Sequence, residues 1–284
     1  MTKILLQTTI PPVEDDWHIG RFSRLAAHLA SLPGVEVTAR DRAVPGGETD
    51  PVLGGLADSD FDQLWLFAVD VGDGLNGDEC AAIGAFRARG GGLMITRDHM
   101  DLGSSVCTLG GVGDAHFFHS RNPDPDPGRN TRDDTGTPDI DFPNYHSGAN
   151  GDWQAIRPVG EVHPLLRDAD GGVLNRLPAH PHEGGIGVPA SEPDARVVAS
   201  GTSRATGRPF NIAVAFAGQP DKPGRGVAQS TFHHFADYNW DPRDGCPSFV
   251  TEAPGDAIIR DPEAMRQTKQ YVANLAAWLS GETA

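Results

Sequence analysis

Two clusters of titratable side chains directly follow strands that the sequence predicts. The first comes after the apolar run Leu93–Thr96, and the second comes after the run Gly226–Phe232. In an open parallel sheet, ligands bind at the carboxyl ends of the strands. Imidazole titrates near neutral pH, and a carboxylate can orient an imidazole for proton transfer. The pattern therefore predicts acid–base catalysis by the residues of the two clusters, which are Asp98, His99, His233, His234 and Asp237.

The stretch between the clusters holds further polar side chains that a bound substrate could use. The segment His180-Pro181-His182-Glu183 lies in this stretch. Aromatic rings beside carboxylates and amides are typical of sugar-binding pockets, because the C–H faces of a sugar pack on aromatic faces. They are equally typical of rings that pack a long loop, so both interpretations stay open. We expect five residues to contact the substrate: Asp101, His116, His119, Tyr145 and His146.

Several of these histidines could also hold a metal ion. Zinc or a similar ion needs three or four nitrogen or oxygen ligands. No His-Glu-x-x-His signature is present. The alternative is that these histidines are hydrogen-bonded residues that hold an irregular loop together. The cofactor is therefore unknown, with a divalent ion as the hypothesis, and its candidate ligands are His99, His116, His119 and His233.

The elements that must position these residues alternate between strand and helix. Lys3–Thr8 and Phe61–Val71 are apolar runs typical of buried strands. The apolar face of Ile19–Leu32 predicts a helix, and Asn76 with Glu79 fits a capping box at the start of another. Further strands are predicted at Val35–Ala39, Leu93–Thr96, Ala195–Ala199, Asn211–Phe216 and Gly226–Phe232, and a last helix follows the N-cap residue Asp261. This order predicts an α/β fold with a mostly parallel sheet and helices on both faces.

The alternation stops between Asp98 and about Pro193. This stretch is dense in Gly, Pro, Asp, Asn and His and has few apolar runs. A loop-rich stretch of such length is uncommon inside a compact domain unless it is functional. The sequence has no internal repeat and no separating linker. We therefore predict a single domain over residues 1–284 that carries a loop-rich insert at about 98–193 across the ligand-binding edge.

The net charge of the chain and its lack of certain motifs limit the classes of partner that it can bind. The chain has 39 acidic and 23 basic residues, a net charge of −16, and a pI near 4.9. A nucleic-acid binder needs clustered Lys and Arg, and a membrane span needs about 18–20 consecutive apolar residues. The glycines at 110–113 lack the dinucleotide-binding pattern, so no nucleotide cofactor is predicted. We expect a small-molecule partner, no nucleic acid and no membrane, and self-association into a homo-oligomer stays open.

Cysteine usage bears on the cellular compartment. The three cysteines, Cys80, Cys107 and Cys246, are widely separated and form no Cys-x-x-Cys pair. The apolar stretch at the N-terminus is too short for a secretory signal. This usage suits a reducing environment better than a disulfide framework, so we expect a cytoplasmic protein.

Three short segments resemble a known family. Gly90–Thr96 (GGGLMIT), Val162–Leu166 (VHPLL) and Gly224–His233 (GRGVAQSTFH) are similar to segments of the trehalose-utilisation (ThuA-like) family, within the class I glutamine amidotransferase-like superfamily. The resemblance implies a flavodoxin-like sheet. A glutaminase of this superfamily carries Cys after the strand at the nucleophile elbow, where this chain has Arg97, Asp98 and His99. The resemblance therefore does not imply glutaminase activity.

Two functions remain after these observations. The first is an enzyme that acts on a small polar metabolite, a carbohydrate or a derivative, by hydrolase- or lyase-type acid–base chemistry with or without a metal ion. The second is a non-catalytic ligand-binding or scaffold protein on the same fold. Clustered titratable groups favour the enzyme.

Overall fold

A computed structural model describes residues 1–129, 137 and 139–281 of the chain. The strands that it contains are β1 (Thr2–Thr8), β2 (Val35–Arg40), β3 (Gln63–Phe67), β4 (Gly92–Thr96), β5 (His116–Phe117), β6 (Trp153–Ala155), β7 (Arg157–Pro158), β8 (Arg176–Pro178), β9 (Gly185–Ile186), β10 (Arg196–Thr202), β11 (Pro209–Phe216) and β12 (Gly226–Gln229). The α-helices are α1 (Ser23–Ala30), α2 (Pro51–Gly54), α3 (Gly77–Ala88), α4 (Asp237–Trp240), α5 (Ala257–Arg260) and α6 (Pro262–Leu279).

Within the described ranges, eight strands form one sheet in the order β2-β1-β3-β4-β12-β11-β10-β7. The five strands β2, β1, β3, β4 and β12 run parallel to one another. The pairs β12–β11, β11–β10 and β10–β7 are antiparallel. Residues 217–225 join β11 to β12, and a parallel crossover needs about a dozen residues or more, so this connection makes an antiparallel pair. The expected flavodoxin-like, mostly parallel sheet is confirmed.

Helices cover both faces of the sheet, as predicted. Side chains alternate along β3: Trp65 and Phe67 belong to the apolar core under α1 and α6, whereas Leu64 and Leu66 belong to the core under α2 and α3. This alternation arises because successive side chains of a strand point to opposite faces. None of the helices in the described part of the chain combines the length and the apolar character that a bilayer crossing requires.

The helix starts follow the capping signals of the sequence. Asn76 Oδ1 accepts from Glu79 N at 3.0 Å, and Glu79 Oε2 accepts from Asn76 N at 2.8 Å, which is the predicted capping box of α3. Asp261 caps α6, and Pro262 occupies its first position. The helix predicted over Ile19–Leu32 is shorter, because a 3-10 turn occupies Ile19–Phe22 and α1 ends at Ala30.

The insert is not a structureless loop. Its described residues contain two small antiparallel sheets, β5-β9 and β6-β8, and β7 extends the edge of the main sheet beside β10. Its apolar side chains Leu165, Leu174 and Leu177 are fully buried in the same core as α6. The insert is therefore packed onto the sheet, and residues 130–136 and 138 of it lie outside the described part.

A buried ion pair joins α3 to the segment after β2. The side chains of Glu79 and Arg42 are both wholly buried, with Arg42 Nη1 at 2.8 Å from Glu79 Oε1. Replacing Glu79 by Ala leaves the guanidinium of Arg42 buried without its partner, so we expect a loss of about 3–5 kcal/mol in the free energy of unfolding. Urea denaturation measures this loss. The exposed neighbour Asp78 in the same turn is the control, and Asp78→Ala should cost less than about 1 kcal/mol; equal losses would contradict the prediction.

Candidate functional site

A cavity of about 360 Å³ opens at the carboxyl edge of the parallel strands. Trp17 after β1, Val69 after β3, Asp98 after β4 and His233 after β12 all line it. In a sheet with the order 2-1-3-4, the strand order reverses between β1 and β3, and ligands bind at that switch point. The cavity therefore lies where the topology predicts a ligand site.

Residues of the insert and of the segment before α5 complete the walls of this cavity. Asn150, His180 and His182 enter from the insert, and Phe249 and Glu252 enter from the later segment. A larger groove of about 630 Å³ lies between α1, α5 and α6. Its arginines Arg24 and Arg243 are both paired with Asp241. The smaller cavity is the better candidate because it lies at the carboxyl ends of the parallel strands.

Asp98 is the centre of the titratable groups in the cavity. Its carboxylate lies 3.0 Å from His180 Nε2, 3.0 Å from His99 Nδ1 and 3.6 Å from His233 Nε2. Only 3 % of the Asp98 side chain is exposed. We call these four residues, Asp98, His99, His180 and His233, the Asp98 cluster.

Two asparagines determine which ring nitrogens face Asp98. Asn239 Nδ2 donates to Ala179 O at 2.9 Å and to Asn150 Oδ1 at 2.8 Å, so Asn239 Oδ1 is the acceptor that faces His233 Nδ1 at 2.8 Å. Asn150 Oδ1 likewise faces His180 Nδ1 at 2.9 Å. Both histidines therefore carry a proton on Nδ1, and in the neutral ring Nε2 presents a lone pair towards Asp98.

Burial and charge set the protonation of the centre. Burial alone would raise the pKa of Asp98, but the imidazoles of His180, His99 and His233 hold that pKa well below its usual range, so the carboxyl is ionised. Burial and the neighbouring His233 lower the pKa of His180 well below its ordinary value. His180 and His233 stack with ring centroids 3.6 Å apart, an arrangement that disfavours two positive charges.

A second pair of groups, His182 and Glu252, also lines the cavity. His182 Nε2 lies 2.8 Å from Glu252 Oε1, and His182 Nδ1 lies 3.2 Å from Asn144 Oδ1. The hydrogen bond from His182 lowers the pKa of Glu252 despite its partial burial. The rings of His182 and His99 meet edge to face at 5.3 Å, which brings this pair next to the Asp98 cluster.

A fully buried network behind the cavity joins the insert to β12. Glu183 Oε1 accepts from Ser147 Oγ at 2.9 Å and lies 3.1 Å from His234 Nε2, and Glu183 Oε2 accepts from Ser230 Oγ at 2.6 Å. His234 Nδ1 lies 2.7 Å from Gln229 Nε2. These contacts hold the insert in place without entering the cavity.

The sequence-predicted residues divide into two groups. Asp98, His99 and His233 meet in the cavity, although they come from two different strand ends. His234, predicted to be catalytic, lies in the buried network instead. Asp237 also lies outside the cavity, because its carboxylate accepts from Ser23 N at 3.0 Å and Arg24 N at 2.8 Å at the start of α1. Its position does not allow it to orient an imidazole of the cavity.

The five residues expected to contact substrate lie away from the cavity lining. Asp101 accepts from Ser120 N at 2.9 Å, and Tyr145 stacks on Phe210 with centroids 5.1 Å apart. The ring of His146 lies 3.3 Å from Pro181 O. The two expected metal ligands His116, which is fully buried, and His119, which is exposed, do not join His99 and His233.

Sequence reasoning missed His180, His182 and Trp17. The His-x-His spacing was a usable signal, because alternate residues of an extended segment point to the same side. Trp17 follows β1, so the strand-end rule that selected Asp98 applies to it equally. Asn150 and Asn239 carried no signal, because their role depends on which rings the fold brings to them.

Comparisons with known proteins identify the fold. No protein-family model and no curated protein matches the chain. A cytoplasmic protein from Salmonella typhimurium LT2 aligns at a TM-score of 0.54 with 10% identity, covering 98% of this chain and 99% of that one. The glutaminase domain of the Trypanosoma brucei CTPS, solved with acivicin, aligns at 0.50 with 14% identity, covering 100% and 96%. The expected class I glutamine amidotransferase-like fold is thereby confirmed.

ThuA-like proteins are also among the structural neighbours. One from Parabacteroides merdae aligns at a TM-score of 0.46 with 13% identity, covering 100% of this chain and 91% of that one.

A glycine lets the insert approach the strand ends closely. Gly184 N donates to Ser230 O at 3.1 Å, and a Cβ at this position would lie 2.7 Å from both Asp98 O and Ser230 O and against the buried guanidinium of Arg97. Backbone atoms cannot give way cheaply, so any larger residue must displace the segment that carries Asp98.

We therefore expect Gly184→Ala to lower the free energy of unfolding by about 1–3 kcal/mol, measured by urea denaturation. Gly84→Ala is the matched control, because Gly84 lies in α3 with no atom within 4 Å of the added Cβ. That change should raise stability by about 0.5–1 kcal/mol. A Gly184→Ala protein as stable as the wild type would show that the approach is not tight.

Proposed function

We propose that the protein is an enzyme that performs acid–base chemistry of the hydrolase or lyase type on a small metabolite in the cavity. The observation that carries this proposal is the ionised Asp98 carboxylate with three imidazoles around it, at the ligand-binding edge of the sheet. Structural histidines rarely need this arrangement, whereas a proton-transfer site does.

His233 is the residue best placed to move a proton. Asn239 fixes its tautomer, so the neutral ring offers the lone pair of Nε2. In a hydrolysis, the attacking water would give its proton to Nε2 and the imidazolium would return that proton to the leaving group. Asp98 Oδ2, at 3.6 Å, would stabilise the imidazolium between the two steps.

The walls favour a neutral substrate with an apolar face. Trp17, Phe232 and Phe249 supply aromatic surface, and no Lys or Arg occurs among the described residues that line the cavity. Without an ion in the cavity, a phosphorylated or carboxylated substrate would meet Asp98 and Glu252 with no compensating cation. A carbohydrate or a neutral derivative fits, because its C–H faces pack on aromatic rings and its hydroxyls reach the polar groups.

Glutaminase chemistry is disfavoured for the same site. It needs a thiolate, and the described lining contains no cysteine. Cys107 donates its Sγ hydrogen to Ser104 O, and burial raises the pKa of the Cys107 thiol.

The test is a substrate panel with matched variants. Wild-type protein is assayed against neutral p-nitrophenyl glycosides, sugar lactones and N-acetylated amino sugars, by turnover and by the shift in melting temperature. For a substrate that is turned over, His233→Ala should lower kcat/KM by about 10²–10⁴-fold. His28→Ala, on α1 away from the cavity, should leave it unchanged.

Two results would contradict the proposal. One is turnover that His233→Ala does not reduce. The other is a panel member that raises the melting temperature of the wild type, through a shift that Trp17→Ala abolishes, while no member is turned over. That second result would instead favour the non-catalytic ligand-binding alternative.

A further inference from the structure

In the tautomer that Asn150 favours, the buried contact between His180 and Asp98 has no proton donor. Asn150 holds the proton of His180 on Nδ1, so Nε2 of the neutral ring turns a lone pair towards Asp98 Oδ1 at 3.0 Å. Within the described residues, His180 Nε2 has no hydrogen-bond partner of acceptable geometry, although it is buried. Two acceptors that face each other in a buried site repel unless a proton or a cation lies between them.

His99 supplies a third atom that could bind a metal ion beside Asp98. His99 Nδ1 lies 3.0 Å from Asp98 Oδ2, and the ligand atoms of Asp98, His99 and His180 all lie within 4.8 Å of one another. In a tetrahedral site with bonds of about 2.0–2.2 Å, neighbouring ligand atoms are roughly 3.3–3.6 Å apart. The two observed 3.0 Å spacings run to different oxygens of Asp98, so a bound ion would draw together ligand atoms that now lie within 4.8 Å of one another.

From this geometry we infer that Asp98, His99 and His180 bind one divalent transition-metal ion of the zinc or ferrous kind. Two imidazoles and one carboxylate are ligands that these ions favour, whereas Mg²⁺ and Ca²⁺ prefer oxygen ligands throughout. The three residues leave coordination positions open towards the cavity, as catalytic rather than structural sites do.

The surroundings of the three ligands fit this assignment. A metal-binding histidine usually donates its other ring N–H to a fixed acceptor, which Asn150 Oδ1 provides for His180. Asn150 is itself held by Asn239 Nδ2 at 2.8 Å. His233 lies outside this set of ligands, with its Nε2 at 3.6 Å from Asp98 Oδ2, and stays free to carry a proton.

The inference stands apart from the catalytic proposal, because metal binding is measurable without turnover. The donor set also differs from the one expected from sequence, since His180 and Asp98 take the place of His116, His119 and His233. This difference provides a matched pair of variants, His99→Ala in the cluster and His119→Ala at an exposed position of the insert.

The experiment uses Co²⁺ alone as the probe. Protein stripped with EDTA is titrated with Co²⁺ and followed by visible absorption and calorimetry, with Mg²⁺ as competitor. We expect one Co²⁺ per chain, a visible band that Zn²⁺ abolishes and Mg²⁺ does not, and unchanged binding in His119→Ala. His99→Ala and His180→Ala should weaken binding by more than about 100-fold, and Asn150→Ala by about 10–100-fold.

Circular dichroism checks that each variant is folded. His99 is partly exposed, so His99→Ala tests the inference even where replacement of a buried residue prevents folding. The inference fails if the wild type takes up no stoichiometric Co²⁺, or if folded His99→Ala binds Co²⁺ as tightly as His119→Ala does.

Discussion

The charge of one buried carboxylate organises the functional end of the molecule. Asp98 follows β4 directly and is ionised, with 3 % of its side chain exposed. A buried charge is costly unless other groups compensate it. His99 beside it supplies one such group, and the others arrive from the end of β12 and from the insert.

The fold of the insert places its compensating groups beside Asp98. β7 fixes one part of it to the sheet, and the Glu183 network fixes another part to Ser230 beside the cavity. Gly184 allows the backbones to approach, and Asn150 then sets the tautomer of His180. Together these features hold His180 beside Asp98.

The acidic character of the chain affects which ligands the cavity attracts. The net charge of −16 creates a field that attracts cations and repels anions. The cavity reproduces that preference locally through Asp98 and Glu252. A cation at the Asp98 cluster and a neutral substrate above it satisfy both the local and the global charge.

Sequence reasoning succeeded where local rules determine the outcome. Apolar runs predicted the strands of the main sheet other than β7, and the capping signals at Asn76 and Asp261 predicted the starts of α3 and α6. The strand-end rule selected Asp98, His99 and His233 correctly as neighbours. It did not separate His233 from His234, because both follow the same strand and the 3-10 turn that points them in different directions is not specified by that rule.

The site residues that sequence reasoning did not place correctly depend on long-range packing. Asp237 looked like a partner for the nearby histidines, yet it caps the first turn of α1, more than 200 residues earlier in the chain. The His-x-His spacing indicates that His180 and His182 share one side of their segment, but the path of the insert decides that this side faces the cavity. Tertiary placement of this kind is the information that composition and periodicity lack.

The most direct test of the account is the anomalous diffraction of crystals soaked in Zn²⁺, measured at the zinc absorption edge. The account predicts one strong peak about 2.0–2.3 Å from an Asp98 oxygen, His99 Nδ1 and His180 Nε2. A map with no peak among these atoms, or with zinc only at exposed surface carboxylates, would contradict it.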